Sequence, residues 1–171
     1  ETADLRPLSG HIADLIVLAN LTQPGDTLLC VSEGDGGYPG MWRRALPKFL
    51  KYKVVAFPFS KEHRNIKTEE AKELIQRIRP KVVVFGASLF LFPHPVQELA
   101  KVAHEVGAKV GYDGSHVMGL IAGKTFQDPL REGADALLGS THKSFFGPQG
   151  GIFLSDKAHG EKVKKSVFPA Y

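Results

Sequence analysis

One cysteine in 171 residues, Cys30, is too few for a disulfide framework or a Cys-x-x-Cys metal site. Such a chain must be held by its core alone, and the expected setting is a reducing cytoplasm. Long apolar runs are missing too. The longest, VVVFGASLFLF from Val82, falls well short of the roughly 18 residues that a membrane span requires, so no membrane partner is expected. An excess of one charge is also absent: 22 Lys and Arg against 18 Asp and Glu leave +4. The basic residues are scattered, with no Lys/Arg block interleaved with aromatics, so a nucleic-acid partner is not expected either. There is no internal repeat, low-complexity segment or linker. The opening ETADLRPLSG has no initiator methionine, charged n-region or apolar h-region, and the expectation is a fragment without a signal peptide.

What is present is a hydrophobic content of 43%, enough for one globular domain with a real core. Short β-rich runs alternate with helical patterns: TLLCVS, YKVVAFPF, KVVVFGA, KVGYDG, ALLGS and GGIFLS read as strands. Between them, Pro95 to Val106 carries an apolar stripe at Val96, Leu99, Ala103 and Val106. Pro95 suits the first turn and Gly107 the stop. Thr68 to Ile78 reads as a second helix, with Glu69 and Glu70 complementing its dipole. The fold class is therefore α/β: a three-layer sandwich around a mostly parallel sheet.

Ligands of such sheets sit at the carboxyl ends of the strands. Ser88 follows one apolar run, Asp113 and His116 follow a second, and Ser140, Thr141, His142 and Lys143 end a third. A Ser-Gly step, Ser9 and Gly10, opens an apolar helix whose free N–H groups suit a phosphate. Lys143 reads as buried between apolar flanks, where an ammonium must be paired or neutralised. A lysine, an aspartate, a phosphate-binding helix start and a Gly-rich loop in one crevice are what pyridoxal 5'-phosphate (PLP) requires. The lysine amine forms a Schiff base with the aldehyde, and the aspartate keeps the ring nitrogen protonated.

Each element alone has a plainer reading. Asp-x-x-His serves turns, caps and metal sites, GPQGG can be only a turn, LSGH only a helix cap, and Tyr38 a half-buried surface aromatic. His94 and His104 are assigned to solvent or helix surface without a role, and Cys30 to inert core.

Together, YDGSHVMGLIAG followed by GSTHKSFFGPQGG resembles the central region of the serine hydroxymethyltransferases, PLP-dependent enzymes of the aminotransferase superfamily. LRPLSGHIADLIVLANLTQPGDTLL resembles their phosphate-binding helix, GDGGY their Gly-Gly-His segment, and KKSVFPAY the Phe-Pro stretch at the end of the large domain. The resemblance implies that Lys143 holds the cofactor as an imine, that Asp113 pairs with the pyridine nitrogen, and that His116 and Ser88 lie near the ring hydroxyl. It implies phosphate contacts from Ser9, Gly10 and His11, and pocket walls from Tyr38, Ser140 and His142. Three positions depart from the family pattern: His11 replaces a small residue, Tyr38 a histidine and Gln149 an arginine. They bear on substrate and folate use.

The function implied is retro-aldol cleavage or formation of the Cα–Cβ bond of a β-hydroxy amino acid, as in one-carbon transfer between serine and glycine. Tetrahydrofolate is a candidate co-substrate, and a homodimer is expected. The lysine and aspartate would equally serve a threonine aldolase, a lyase or an aminotransferase, and an inactive cofactor-binding subunit is a further reading. A metal-dependent hydrolase built on Asp113, His116 and His142 is the remaining alternative, although no other strand end supplies the further ligand it needs. By the same resemblance, residues 1–171 are the cofactor-binding large domain alone. A proton-handling glutamate lies upstream of the phosphate-binding helix and a carboxylate-gripping arginine lies in a small domain downstream. The piece by itself is expected to bind cofactor weakly and to lack turnover.

Overall fold

The computed structural model describes residues 2–171. In chain order the elements are β1 (Thr2–Asp4), α1 (Gly10–Leu21), β2 (Thr27–Cys30), α2 (Leu46–Leu50), β3 (Lys53–Ala56), β4 (Phe59–Ser60), β5 (Asn65–Ile66) and α3 (Thr68–Ile78). They continue as β6 (Val82–Phe85), α4 (Val96–Glu105), β7 (Lys109–Asp113), α5 (Met118–Ala122), β8 (Ala136–His142), β9 (Phe146–Ser155) and α6 (Lys157–Ala170). Seven strands form one sheet in the order β1-β9-β8-β7-β6-β2-β3. The pairs from β3 to β8 are parallel, while β9 runs antiparallel to both β8 and β1. The α/β class and the mostly parallel sheet expected from the sequence are what the chain adopts.

The strands are apolar in unbroken runs because both of their faces are covered. Leu29, Val83, Phe85, Val110 and Tyr112 face α3 and α4, meeting Ala71, Ile75, Leu99 and Ala103. Their alternates Leu28, Cys30, Val82 and Val84 face the other way, against Leu18 of α1 and Leu46 of α2. Farther along that second face, Ile16 and Val17 of α1 pack with Leu138, Phe153 and, from α6, Val163 and Val167. The period of two along each strand thus builds a three-layer sandwich, with α1 lying over the half of the sheet where Asp113 and Ser140 end their strands. Cys30 is buried core, as expected, and burial pushes its thiol up to about 12. No helix among the described residues is long and apolar enough to cross a membrane.

Two expectations need correction. The glycine-rich stretch after Lys143 is not a loop: from Phe146 onward it is β9, and the reversal is confined to Lys143, Ser144 and Phe145. Gly147 and Pro148 look like turn residues, but they belong to β9, in an irregular stretch of the ladder where residues 147–150 stand opposite the single Thr141, between the pairs Ser140–Gly151 and His142–Phe146.

His94 is not at the surface. It is 3% exposed, its Nδ1 accepts the Gly86 N–H at 3.2 Å, and its main chain exchanges hydrogen bonds with the Gln127 side chain, which also accepts the Tyr112 hydroxyl. A local reading misses this because the partners come from β6 and from the segment after α5. His104 does lie at the surface, but its ring is 3.0 Å from the Asp135 carboxylate.

Burial lowers the His94 pKa from 6.5 to about 4, so the folded state resists a proton that the unfolded chain accepts. Its contribution to stability is complete above pH 6.5 and is lost as the pH falls toward about 4, by up to about 3 kcal/mol. Urea unfolding between pH 7 and pH 4.5 should show this loss, and His94→Asn, which keeps an acceptor for Gly86, should flatten that part of the profile.

Candidate functional site

Helix α1 begins where the chain leaves the sheet edge. Ser9 is its N-cap, extended, with its Oγ accepting the Ile12 N–H at 3.2 Å, so the hydroxyl keeps its own proton to donate. The N–H groups of Gly10 and His11 open the helix and have no intrahelical acceptor. This terminus lies directly on β8: a Cβ on Gly10 would stand 2.9 Å from the Ser140 N and 3.0 Å from the Ser115 Oγ. Only a residue without a side chain permits the approach.

Around that contact a second layer is tied together. Ser115 donates its N–H to Asp113 Oδ1 at 2.9 Å, and its Oγ accepts the Ser140 N–H at 3.0 Å. Asp113 is buried with 7% exposure, at the carboxyl end of β7. The Ser140 Oγ is buried and has no hydrogen-bond partner. Opposite, Gly36 adopts φ +97°, where a Cβ would strike the Leu89 carbonyl, and its own carbonyl accepts the Ser88 N–H at 2.8 Å. That bond joins the turn carrying Tyr38 to the loop carrying Ser88.

All ten residues singled out from the sequence line one cavity of about 180 Å³. Ser9, Gly10 and His11 come from α1, Tyr38 from the turn after β2, Ser88 from the loop after β6, and Asp113 and His116 from the end of β7. Ser140, His142 and Lys143 come from the β8–β9 hairpin. A larger cleft of about 710 Å³ adjoins the cavity, sharing Ser88 and His116 and adding Lys61, Arg64, Leu89 and Leu91.

Lys143 corrects the desolvation argument: it is exposed, in the bend of the hairpin, because its apolar neighbours Phe145 and Phe146 themselves face outward. Its ammonium donates to His116 Nε2 at 3.3 Å. His116 is held below its usual pKa by partial burial and by the Lys143 charge, against a smaller upward pull from Asp113, so it is neutral and able to accept. The Tyr38 hydroxyl lies 2.9 Å from His11 Nδ1, the two rings standing edge to face at 76°. Partial burial lowers the His11 pKa. Gln149 donates from Nε2 to the Leu8 carbonyl at 3.1 Å, latching the hairpin to the segment that leads into α1.

Sequence reasoning missed two members of this wall, Ser115 and Asp14. Asp14, five residues after the cap, lines the same cavity and is 1% exposed. Its signal was an acid in an otherwise apolar helix. The alternative metal site does not assemble: among the described residues, no three His, Cys, Asp or Glu side chains are placed to hold a metal ion.

Comparison with known proteins adds an independent finding. The family model described as serine hydroxymethyltransferase matches residues 2–170. Curated proteins of that name are similar along almost the whole chain: 49% identical over 169 residues in Methanocaldococcus jannaschii, covering 99% of this chain. The corresponding figures are 51% over 172 residues and 98% in Thermococcus kodakarensis, and 45% over 169 residues and 99% in Archaeoglobus fulgidus. The match takes in 39 to 40% of each relative's own length, so the chain spans about two fifths of the proteins it resembles.

The helix-on-strand contact predicts a steric penalty. Gly10→Ala should lower stability by about 1–3 kcal/mol, because either α1 or β8 must move. Gly34→Ala, where the nearest atom lies 3.7 Å from the new Cβ, should stay within about 0.5 kcal/mol. Equal denaturation midpoints for the two variants would contradict the reading.

Proposed function

The chain belongs to the serine hydroxymethyltransferase family of PLP-dependent enzymes, and on that premise we propose that the full-length protein moves a one-carbon unit between serine and glycine. The bond made and broken is the Cα–Cβ bond of a β-hydroxy amino acid. The observation that carries the proposal is the meeting of Lys143, Asp113 and the start of α1 in one cavity.

The residues present fit the cofactor. Unoccupied donors at the helix start, the close-packed Gly10 and the unpartnered Ser140 Oγ make a cradle for an anionic, hydrogen-bonding group. In this reading the Ser9 hydroxyl and the N–H groups of Gly10 and His11 bind the phosphate. The Lys143 amine would hold the cofactor at its aldehyde carbon. When bound, the protonated ring supplies an electron sink for the bond broken at the substrate α-carbon. Asp113, kept in aim by the Ser115 N–H, would hold the proton at the ring nitrogen. His116, neutral and within hydrogen-bond reach of Lys143, orients the amine and can take a proton from it. Tyr38, tied to His11, would form a wall for the ring, and Ser88 and His142 complete the lining.

The adjoining cleft, with its apolar Leu89 and Leu91 and basic Lys61 and Arg64, supports a place for a larger one-carbon carrier such as tetrahydrofolate. Exposed apolar side chains beside the site, among them Leu89 and the 94% exposed Phe146, support a homodimer. The lone buried Cys30 agrees with a reducing, cytoplasmic setting.

Absorbance of the purified full-length protein tests the cofactor. A near-visible band should shift on adding glycine, and borohydride should fix the cofactor's mass to the peptide carrying Lys143. A colourless protein overturns the proposal. Asp113→Ala should cut turnover by ~10²–10³-fold while weakening cofactor binding far less, measured with serine, threonine and allo-threonine.

A further inference from the structure

Asp14 is unlike any other acid among the described residues. Its side chain is inside, in the wall of the cavity, yet Oδ1 has no hydrogen-bond donor. Of the other buried aspartates, Asp4 is paired with Arg6, and Asp113 has the Ser115 N–H. No such partner reaches Asp14 Oδ1, and Lys143, the cation facing it from the hairpin, turns its ammonium to His116 instead.

The other titratable groups around it give an ionised carboxylate little support. Asp113 faces it from β7 with a charge of the same sign, while Tyr38 and Tyr52, from either side of α2, have phenols pushed further toward the neutral form by Asp14 itself. His11, on the same helix, is held neutral by burial. Burial first and Asp113 second raise the Asp14 carboxyl well above the usual range, with Lys143 opposing them.

The position gives this its meaning. Asp14 is one helical turn above Gly10, about 6 Å along the axis. A negative charge there would oppose any anion at the terminus of the same helix, whereas a neutral acid adds an O–H donor to the wall.

We propose that Asp14 stands in the cavity as a neutral carboxylic acid and gates the charge of the phosphate cradle. Protonated, it leaves the start of α1 free to hold a phosphate ester; deprotonated, it repels that ester. Asp14 is thus a positioning residue, and the inference rests on reading Ser9, Gly10 and His11 as the phosphate site.

The test uses the full-length protein stripped of cofactor, as wild type and as Asp14→Asn, with pyridoxal phosphate and inorganic phosphate as separate probes from neutral pH to about pH 10. The ratio of dissociation constants, wild type over Asp14→Asn, should rise tenfold or more toward the alkaline end for both probes. Phosphate ionisation cancels in that ratio, being common to both proteins. Infrared difference spectra at neutral pH should show a protonated carboxyl band in the wild type that Asp14→Asn lacks, a signature that a purely structural role would not produce. Parallel binding profiles, or no such band, overturn the proposal. If neither protein binds either probe at any pH, it is the cofactor reading itself that falls, and the charge gate with it.

Discussion

The site depends on one contact, the seating of the first turn of α1 against β8 at Gly10. The approach lets unoccupied N–H groups on the helix face the same space as the ends of β7 and β8, instead of being held a side chain's thickness away. It also places Ser115 where one residue can serve two others, donating to Asp113 and accepting from Ser140.

The surrounding sheet makes that contact rigid. Parallel strands covered on both faces send their loops to one edge, and the groups that gather there come from α1, β7, β8 and two intervening loops. Bonds such as Gly36 to Ser88 and Gln149 to Leu8 then fix the loops to one another. Exposure is unevenly divided. Asp113 and Ser140 are dry, whereas His116, His142 and Lys143 face solvent, so the inner wall can hold a proton in place while the outer residues remain free to exchange with incoming molecules.

Much of this was legible in the residues, for identifiable reasons. Thr68–Ile78 and Val96–Glu105 announced themselves because each buries one stripe and wets the other. The strands β2, β6, β7 and β8 did so because burial on both faces demands continuous apolar runs, and the position of polar residues at their ends then pointed to a common edge. What stayed hidden depends on partners distant in sequence. His94 looks like a loop histidine until Gly86 and Gln127 close on it. Asp14 looks like a break in an apolar helix until Asp113 and Lys143 are brought to it. Lys143 misled in the opposite direction, since its phenylalanine neighbours imply burial while their side chains face out. The start of the second strand of the hairpin was disguised by glycine and proline, poor strand formers that sit where the ladder with β8 is irregular.

The sheet's outer edge has a different consequence, one for biogenesis. Among the described residues β1 pairs with β9, with Thr2 opposite Ser155, so the partners are separated by about 150 residues. On a ribosome adding ~5–20 residues per second, β1 would wait on the order of ten to thirty seconds before its partner is made. The parallel core from β2 to β7 can begin to collapse in that interval, but the β8–β9 hairpin, and with it the lysine-bearing side of the pocket, is completed late. The nascent chain therefore carries a half-built pocket and an unpaired strand, and its exposure to mispairing and to chaperones is set by translation speed as much as by the stability of the finished fold.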